Sequence, residues 1–115
     1  MRLEARKYLF DIQSAARSIE EFCAGKDFER YRNDPLLQAA VERKFGIIGE
    51  ALARLNAEDA ATAQRIPEHR RIIAFRNIIV HGYASVDARI VWGVIEADLG
   101  RLRAVVEALL AGEAR

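Results

Sequence analysis

The chain holds one cysteine, Cys23, so no disulfide can form within it, and the thiol fits a reducing cytoplasm. It holds two histidines, His69 and His81, and with a single cysteine they make no zinc site. There is no H-E-x-x-H, and no E-x-x-H pair to carry a carboxylate-bridged metal in a helical bundle. Neither a G-x-x-x-x-G-K-S/T phosphate loop nor a G-x-G-x-x-G turn occurs, and a Ser/His/Asp triad has no nucleophile elbow to sit on. No metal and no cofactor are therefore expected. No apolar run approaches the roughly 20 residues that cross a bilayer. The first ten residues, MRLEARKYLF, mix charged with apolar side chains and lack the apolar core of a secretory leader, so no membrane partner is expected. The net charge is +1, too small for a global basic field that would announce nucleic acid. Repeats, linkers and low-complexity segments are missing too.

What remains is a helix former's composition. There are only two prolines, and Ala, Leu, Ile, Arg and Glu dominate. With 51% hydrophobic and 30% charged residues the chain reads as globular, and residues 1–115 are long enough for one domain with its own core. A first helix is predicted over Leu3–Ala24, from a stripe of Tyr8, Ile12, Ala15, Ile19 and Phe22, stopped by Gly25. In the polar stretch 26–34, Asp27 is a candidate cap. Phe28 and Tyr31 are expected to tuck onto the bundle, with nucleobase stacking as the lesser alternative. Asp34-Pro35 opens a second long helix. Its stripe is Leu37, Val41, Phe45, Ile48, Leu52 and Leu55. Gly46 and Gly49 lie inside it, each costing about 1 kcal/mol relative to alanine, which predicts close approach of another helix. A partly helical connector covers 56–66, and Pro67 opens a third helix. A last helix is predicted over Asp87–Leu110, capped by Ser85 or Asp87. Its stripe is Val91, Ile95, Leu99, Leu102, Val106 and Leu109, with Val94 and Val105 widening it enough to leave apolar surface for a partner. Trp92 lies beside that stripe.

The chemistry concentrates in residues 72–87, IIAFRNIIVHGYASVD. Ile72, Phe75 and Ile79 line one face of a helix, and Gly82 suits a position just past its end. Arg76, Asn77, His81 and Tyr83 form an R-N-x-x-x-H-x-Y pattern. On a regular helix, residues five apart point about 140° from each other. Arg76 and His81 then cannot converge on one small group. Either the helix unwinds before His81, or a second copy completes the site. Asn77, four residues before His81, shares its face. Simpler roles exist for each residue: His81 as a partner for the helix dipole, Arg76 as an ion-pair arginine to Glu50, Tyr83 as a packing aromatic. Arg65, His69, Arg70, Arg71 and Arg76 make this the most basic part of the chain, either a weak phosphate footprint or a solvated face.

Arg76-Asn77-x-x-x-His81-Gly82-Tyr83 followed by Val86-Asp87 resembles the R-x(4–6)-H motif of HEPN domains, and more narrowly the HepT toxins. Phe45-Gly46-Ile47-Ile48-Gly49-Glu50-Ala51 is similar to the I-I-G-E-A helix of that family, and Ile66-Pro67 precedes the motif helix as it does there. Glu68-His69 departs from the tryptophan usual at that point. The likeness spans nearly the whole chain. It implies an all-α HEPN-type four-helix bundle with short extra helical turns, assembled as a homodimer. It implies a metal-independent ribonuclease acting on tRNA or mRNA in the cytoplasm. Arg76 would hold the phosphate, Asn77 would orient His81 or the phosphate, and His81 would move the proton, which an imidazole with an ordinary pKa of about 6.5 does near neutrality. Glu50 would be a supporting polar residue near the dimer cleft. The resemblance further implies a MntA-like nucleotidyltransferase antitoxin that transfers AMP to Tyr83. The alternative from another class is a non-catalytic helical module that binds a nucleotide or a protein.

Overall fold

A computed structural model describes residues 1–81 and 86–113 of the chain. The expected helix stop at Gly82, the cap at Ser85 and the motif residue Tyr83 lie outside the described residues. Among those described, every regular element is helical. In chain order they are α1 (Leu3–Cys23), α2 (Phe28–Arg32), α3 (Pro35–Glu58), α4 (Ala60–Ala63), α5 (His69–His81) and α6 (Ala88–Val94). A π-helical segment (Ile95–Leu99) joins α6 to α7 (Gly100–Glu113).

Helix starts follow their capping residues. The side chains of Asp27, Asp34, Asp59 and Asp87 each accept a hydrogen bond from a backbone N–H in the first turn of α2, α3, α4 and α6. Pro35 occupies the first turn of α3, where its missing N–H costs nothing. After α1, Gly25 takes φ 73°, the left-handed conformation that ends a helix. Pro67 does not open α5 as expected. Glu68 intervenes at φ 57°, and its carbonyl accepts from the N–H groups of Arg71 and Ile72, so the helix starts at His69.

α1 packs against both α3 and α7, and α3 packs against both α1 and α5. This double contact widens the buried arc of α1 beyond the predicted stripe. Ala5, Leu9, Ile12, Ala16, Ile19 and Cys23 are buried at 4-3-4-3-4 spacing, while Tyr8 and Phe22 sit half-buried at the margin. In α3 the whole predicted stripe is buried. Each fully buried Leu or Ile contributes about 1.5–3 kcal/mol of transfer free energy. Phe75 of α5 meets this core through Phe45, ring centroids 5.2 Å apart and edge to face. Tyr31 is fully buried with its ring 5.4 Å from that of Trp92, so it is unavailable for stacking on a base. Phe28 is half-buried beneath the Arg89 guanidinium. The wider turn of the π segment brings Leu99 round to the buried face already used by Val91, leaving Ile95 only half-buried.

Of the two α3 glycines, one carries the close approach. A Cβ built on Gly49 would lie 2.1 Å from Cβ of Arg76 and 2.4 Å from its Cγ. Gly46, by contrast, faces open space. The predicted contact is therefore confined to a single point where α5 crosses α3. The basic residues around it do not form one strip: His69 is buried, Arg71 pairs with Glu68 and Asp98, and Arg76 pairs with Glu50.

The other flank is held by charge. Glu107 of α7 accepts hydrogen bonds from Arg17 and Gln13 of α1 and from Arg103, which also bonds Glu20. The Arg17 hydrogen bond is the main reason that the Glu107 carboxyl sits below the ordinary glutamate range, with Arg103 and Gln13 adding to it.

Two outcomes are expected. Gly49→Ala should destabilise the fold by roughly 1–3 kcal/mol through overpacking, whereas Gly46→Ala should stabilise it by up to about 1 kcal/mol. Urea titration followed by Trp92 fluorescence measures both. Because the folded pKa of Glu107 is depressed, its contribution is present above the unfolded carboxylate range, about pH 4.3, and is lost as pH falls through the folded value. Glu107→Gln should thus lower stability at neutral pH and shrink the further loss seen on acidification, as read from melting curves across that range.

Candidate functional site

Arg76 is set by the crossing just described. With no side chain at Gly49, its aliphatic stem lies directly on α3, and its guanidinium emerges beside Glu50. Arg76 Nη2 donates to Glu50 Oε2 at 2.9 Å, and Arg76 Nη1 donates to Asn77 Oδ1 at 2.9 Å. Glu50 is shared, since its Oε1 accepts from Arg54 Nε at 3.0 Å. Arg76 retains 26% of its side-chain exposure and Glu50 43%, so the pair sits at the rim rather than inside the core. Exposed ion pairs contribute about 0–1 kcal/mol. A phosphate can therefore take over the Arg76 guanidinium at small cost. Arg76 Nε is buried with no hydrogen-bond partner among the described residues.

This cluster borders an open groove of about 520 Å³ between α1, α3 and α5. Lys7, Asp11, Arg43, Glu50, Arg54 and Arg76 supply its charged lining. Val80 reaches the groove, whereas His81 is not among the described residues that line it. His81 is the last residue of α5 and is exposed.

The predicted motif is thus split. α5 is regular from His69 through His81, which rules out unwinding before His81. Arg76 and His81 accordingly point about 140° apart. Asn77, four residues before His81 on this regular helix, shares its face as its spacing predicts, and its amide oxygen accepts a hydrogen bond from Arg76. The structure therefore brings together Arg76, Asn77 and Glu50, and holds His81 apart. The ion-pair role for Arg76 is realised, with Glu50 as partner. Arg54 was not singled out as a site residue, although its i,i+4 relation to Glu50 is the spacing that signals such a pair.

Around the outer end of α5 lies apolar surface. Ile78 and Val80 are exposed, as is Ile90 of α6. Ala74, Phe75, Ile78, Ile90 and Val94 line a recess of about 270 Å³. No helix among the described residues is long and apolar enough to cross a membrane. Nor do the described residues hold a group of three His, Cys, Asp or Glu side chains that could bind a metal ion.

The family model described as ribonuclease HepT-like matches residues 12–109. A protein of Thermococcus cleftensis named probable ribonuclease HepT is 33% identical over 95% of this chain and 98% of its own length. A Caldanaerobacter subterraneus protein named as a provisional RNase is 32% identical over 94% of this chain and 96% of its own. A Methanocaldococcus jannaschii protein, also named as a provisional RNase, is 27% identical over 90% of this chain and 94% of its own. No solved structure matches the chain significantly. The match from Ile12 to Leu109 fits the all-helical architecture of the described residues, and the chain belongs to the ribonuclease HepT-like family.

Proposed function

We propose that the chain is the toxin of a bacterial toxin–antitoxin pair, a metal-independent endoribonuclease that acts in the cytoplasm on tRNA or mRNA. The observation that carries this reading is the Arg76 guanidinium, held on Gly49 at the edge of an open groove in a chain of this family. The catalytic residues are Arg76, Asn77 and His81. Arg76 grips the scissile phosphate and stabilises the charge that builds on it, which a planar guanidinium does well. Asn77, bonded to Arg76, keeps that fork oriented. The Glu50 carboxylate supports the fork from the other side and gives way to the substrate.

His81 supplies the proton transfer. The 2′-hydroxyl loses its proton to one imidazole as the O2′–P bond forms. The P–O5′ bond breaks, and an imidazolium gives its proton to the leaving 5′-oxygen. Because Arg76 and His81 diverge on one helix, a homodimer completes the site, its two copies together supplying two Arg76 and two His81 side chains to one cleft, one His81 as base and the other as acid. The exposed apolar side chains Ile78, Val80 and Ile90 beside the motif are suited to such an interface. The rival reading is a non-catalytic binding module, and the Arg76–Glu50 pair gives it some support, since an ion pair alone explains that arginine.

Purified protein should cleave RNA in EDTA, leave 2′,3′-cyclic phosphate or 3′-phosphate ends, and spare DNA, which lacks the 2′-hydroxyl. Arg76→Ala and His81→Ala should each be inactive with intact helical circular dichroism. Mixing the two inactive variants should restore part of the activity if the site is shared between copies. Strict magnesium dependence or DNA cleavage would remove the mechanism, and a monomer by light scattering would remove the composite site.

Silencing is assigned to Tyr83, two residues past His81, as the acceptor of AMP from a MntA-like nucleotidyltransferase. An added AMP brings negative charge and bulk beside His81, and repels RNA as phosphorylation disrupts other anion-binding sites. Intact mass spectrometry after co-expression with such a partner and ATP should register one or more AMP units, absent in Tyr83→Phe. A Tyr83→Phe toxin still neutralised by the partner would sink this assignment.

A further inference from the structure

We propose that Arg43 is a second phosphate anchor, and that the groove along α3 carries the single RNA strand flanking the scissile phosphate. The inference rests on the ribonuclease reading and extends it to substrate binding. Arg43, Ile47, Glu50 and Arg54 recur at four-, three- and four-residue steps and share one face of α3. All four line the groove, with Lys7 and Asp11 of α1 on one side and Arg76 of α5 on the other.

The charges in this lining are not equivalent. Arg54 and Arg76 share the Glu50 carboxylate. Lys7 Nζ lies 3.9 Å from Asp11. Arg43 is exposed and has no hydrogen-bond or ion-pair partner among the described residues. It is the groove cation that can meet a phosphate without first giving up a carboxylate. Its guanidinium also presents a fork suited to phosphate oxygens.

Spacing sets what the two arginines can hold. Arg43 lies seven residues before Glu50, a rise of about 10 Å along the helix axis. Glu50 marks the level of the Arg76 guanidinium. Two arginines so separated along the groove suit different phosphates of one strand better than a single phosphate. Between them the floor is Gly46 and Ile47. Gly46 projects no side chain, and a Cβ there would meet nothing, so the backbone of α3 is open to a ribose or a base.

The test compares Arg43→Gln and Arg43→Glu with Arg30→Gln, an arginine on α2 outside the groove, on RNA of about twenty nucleotides and on a dinucleotide. KM for the long RNA should rise several-fold in Arg43→Gln and more in Arg43→Glu, with kcat falling much less. The dependence of log affinity on log salt should become shallower by about 0.7, the value for one phosphate contact on a single strand. The KM penalty should shrink on the dinucleotide, which is too short to span both arginines, and Arg30→Gln should show no such length-dependent penalty. Unchanged KM and salt slope in Arg43→Glu would overturn the proposal and leave the ribonuclease reading standing. Equal losses on both substrates with a lowered melting temperature would mark a structural role and also overturn it. If wild-type protein cleaves no RNA, the ribonuclease reading fails instead. Anisotropy of labelled single-stranded RNA on the Arg43 variants then decides the anchor by itself, with equal affinity overturning it and weakened affinity supporting it.

Discussion

Everything at the groove depends on one crossing, where α5 lies against Gly49 of α3. A methyl group there would fall within 2.1 Å of Arg76 Cβ, so the two helices can meet this closely only over a glycine. The contact positions Arg76 from its Cβ outward. The ion pair with Glu50 then orients only the guanidinium. This division follows from magnitudes. A pair this exposed contributes at most about 1 kcal/mol. Overpacking a helix crossing costs about 1–3 kcal/mol, so packing rather than charge decides where the arginine stands.

Further contacts steady α5 along its length. At its start, Arg71 bonds Glu68 and reaches Asp98, while Arg101 bonds Glu68 and Asp98, tying the first turn to the π segment. At mid-length Phe75 packs on Phe45. Beyond Arg76 the helix turns apolar side chains outward, with Ile78 62% and Val80 46% exposed. The anchored half carries Arg76 and the outer half carries His81. In the homodimer proposed above, this apolar outer half would meet a second copy, and that meeting would resolve the divergence of Arg76 from His81.

Much of this was legible in the chain. The α3 stripe from Leu37 to Leu55 is buried as its spacing predicts, because a helix packed on two sides turns its apolar residues inward. The caps at Asp27, Asp34 and Asp87 were readable from residue type, since a short acidic side chain before a helix has a backbone N–H within reach. Arg76, Asn77 and His81 were identifiable as a motif, and Glu50 was a visible partner for Arg76.

The remainder was decided by tertiary structure. Sequence gave Gly46 and Gly49 equal standing, but only the crossing angle and register of α5 select Gly49 as the point of contact. Periodicity predicted Tyr8 and Phe22 for the α1 seam, but α1 lies between two neighbours, and the arc buried by both extends past Ile12 and Ile19 to Leu9, Ala16 and Cys23. The π turn at Ile95–Leu99 leaves no mark in a pattern of apolar residues, because one extra residue per turn changes the phase and not the composition. Local sequence determined which segments are helical and which residues form the Arg-Asn-x-x-x-His motif. Which of those residues meet was set by contacts between segments distant in the chain, where packing at Gly49 outweighs any local preference.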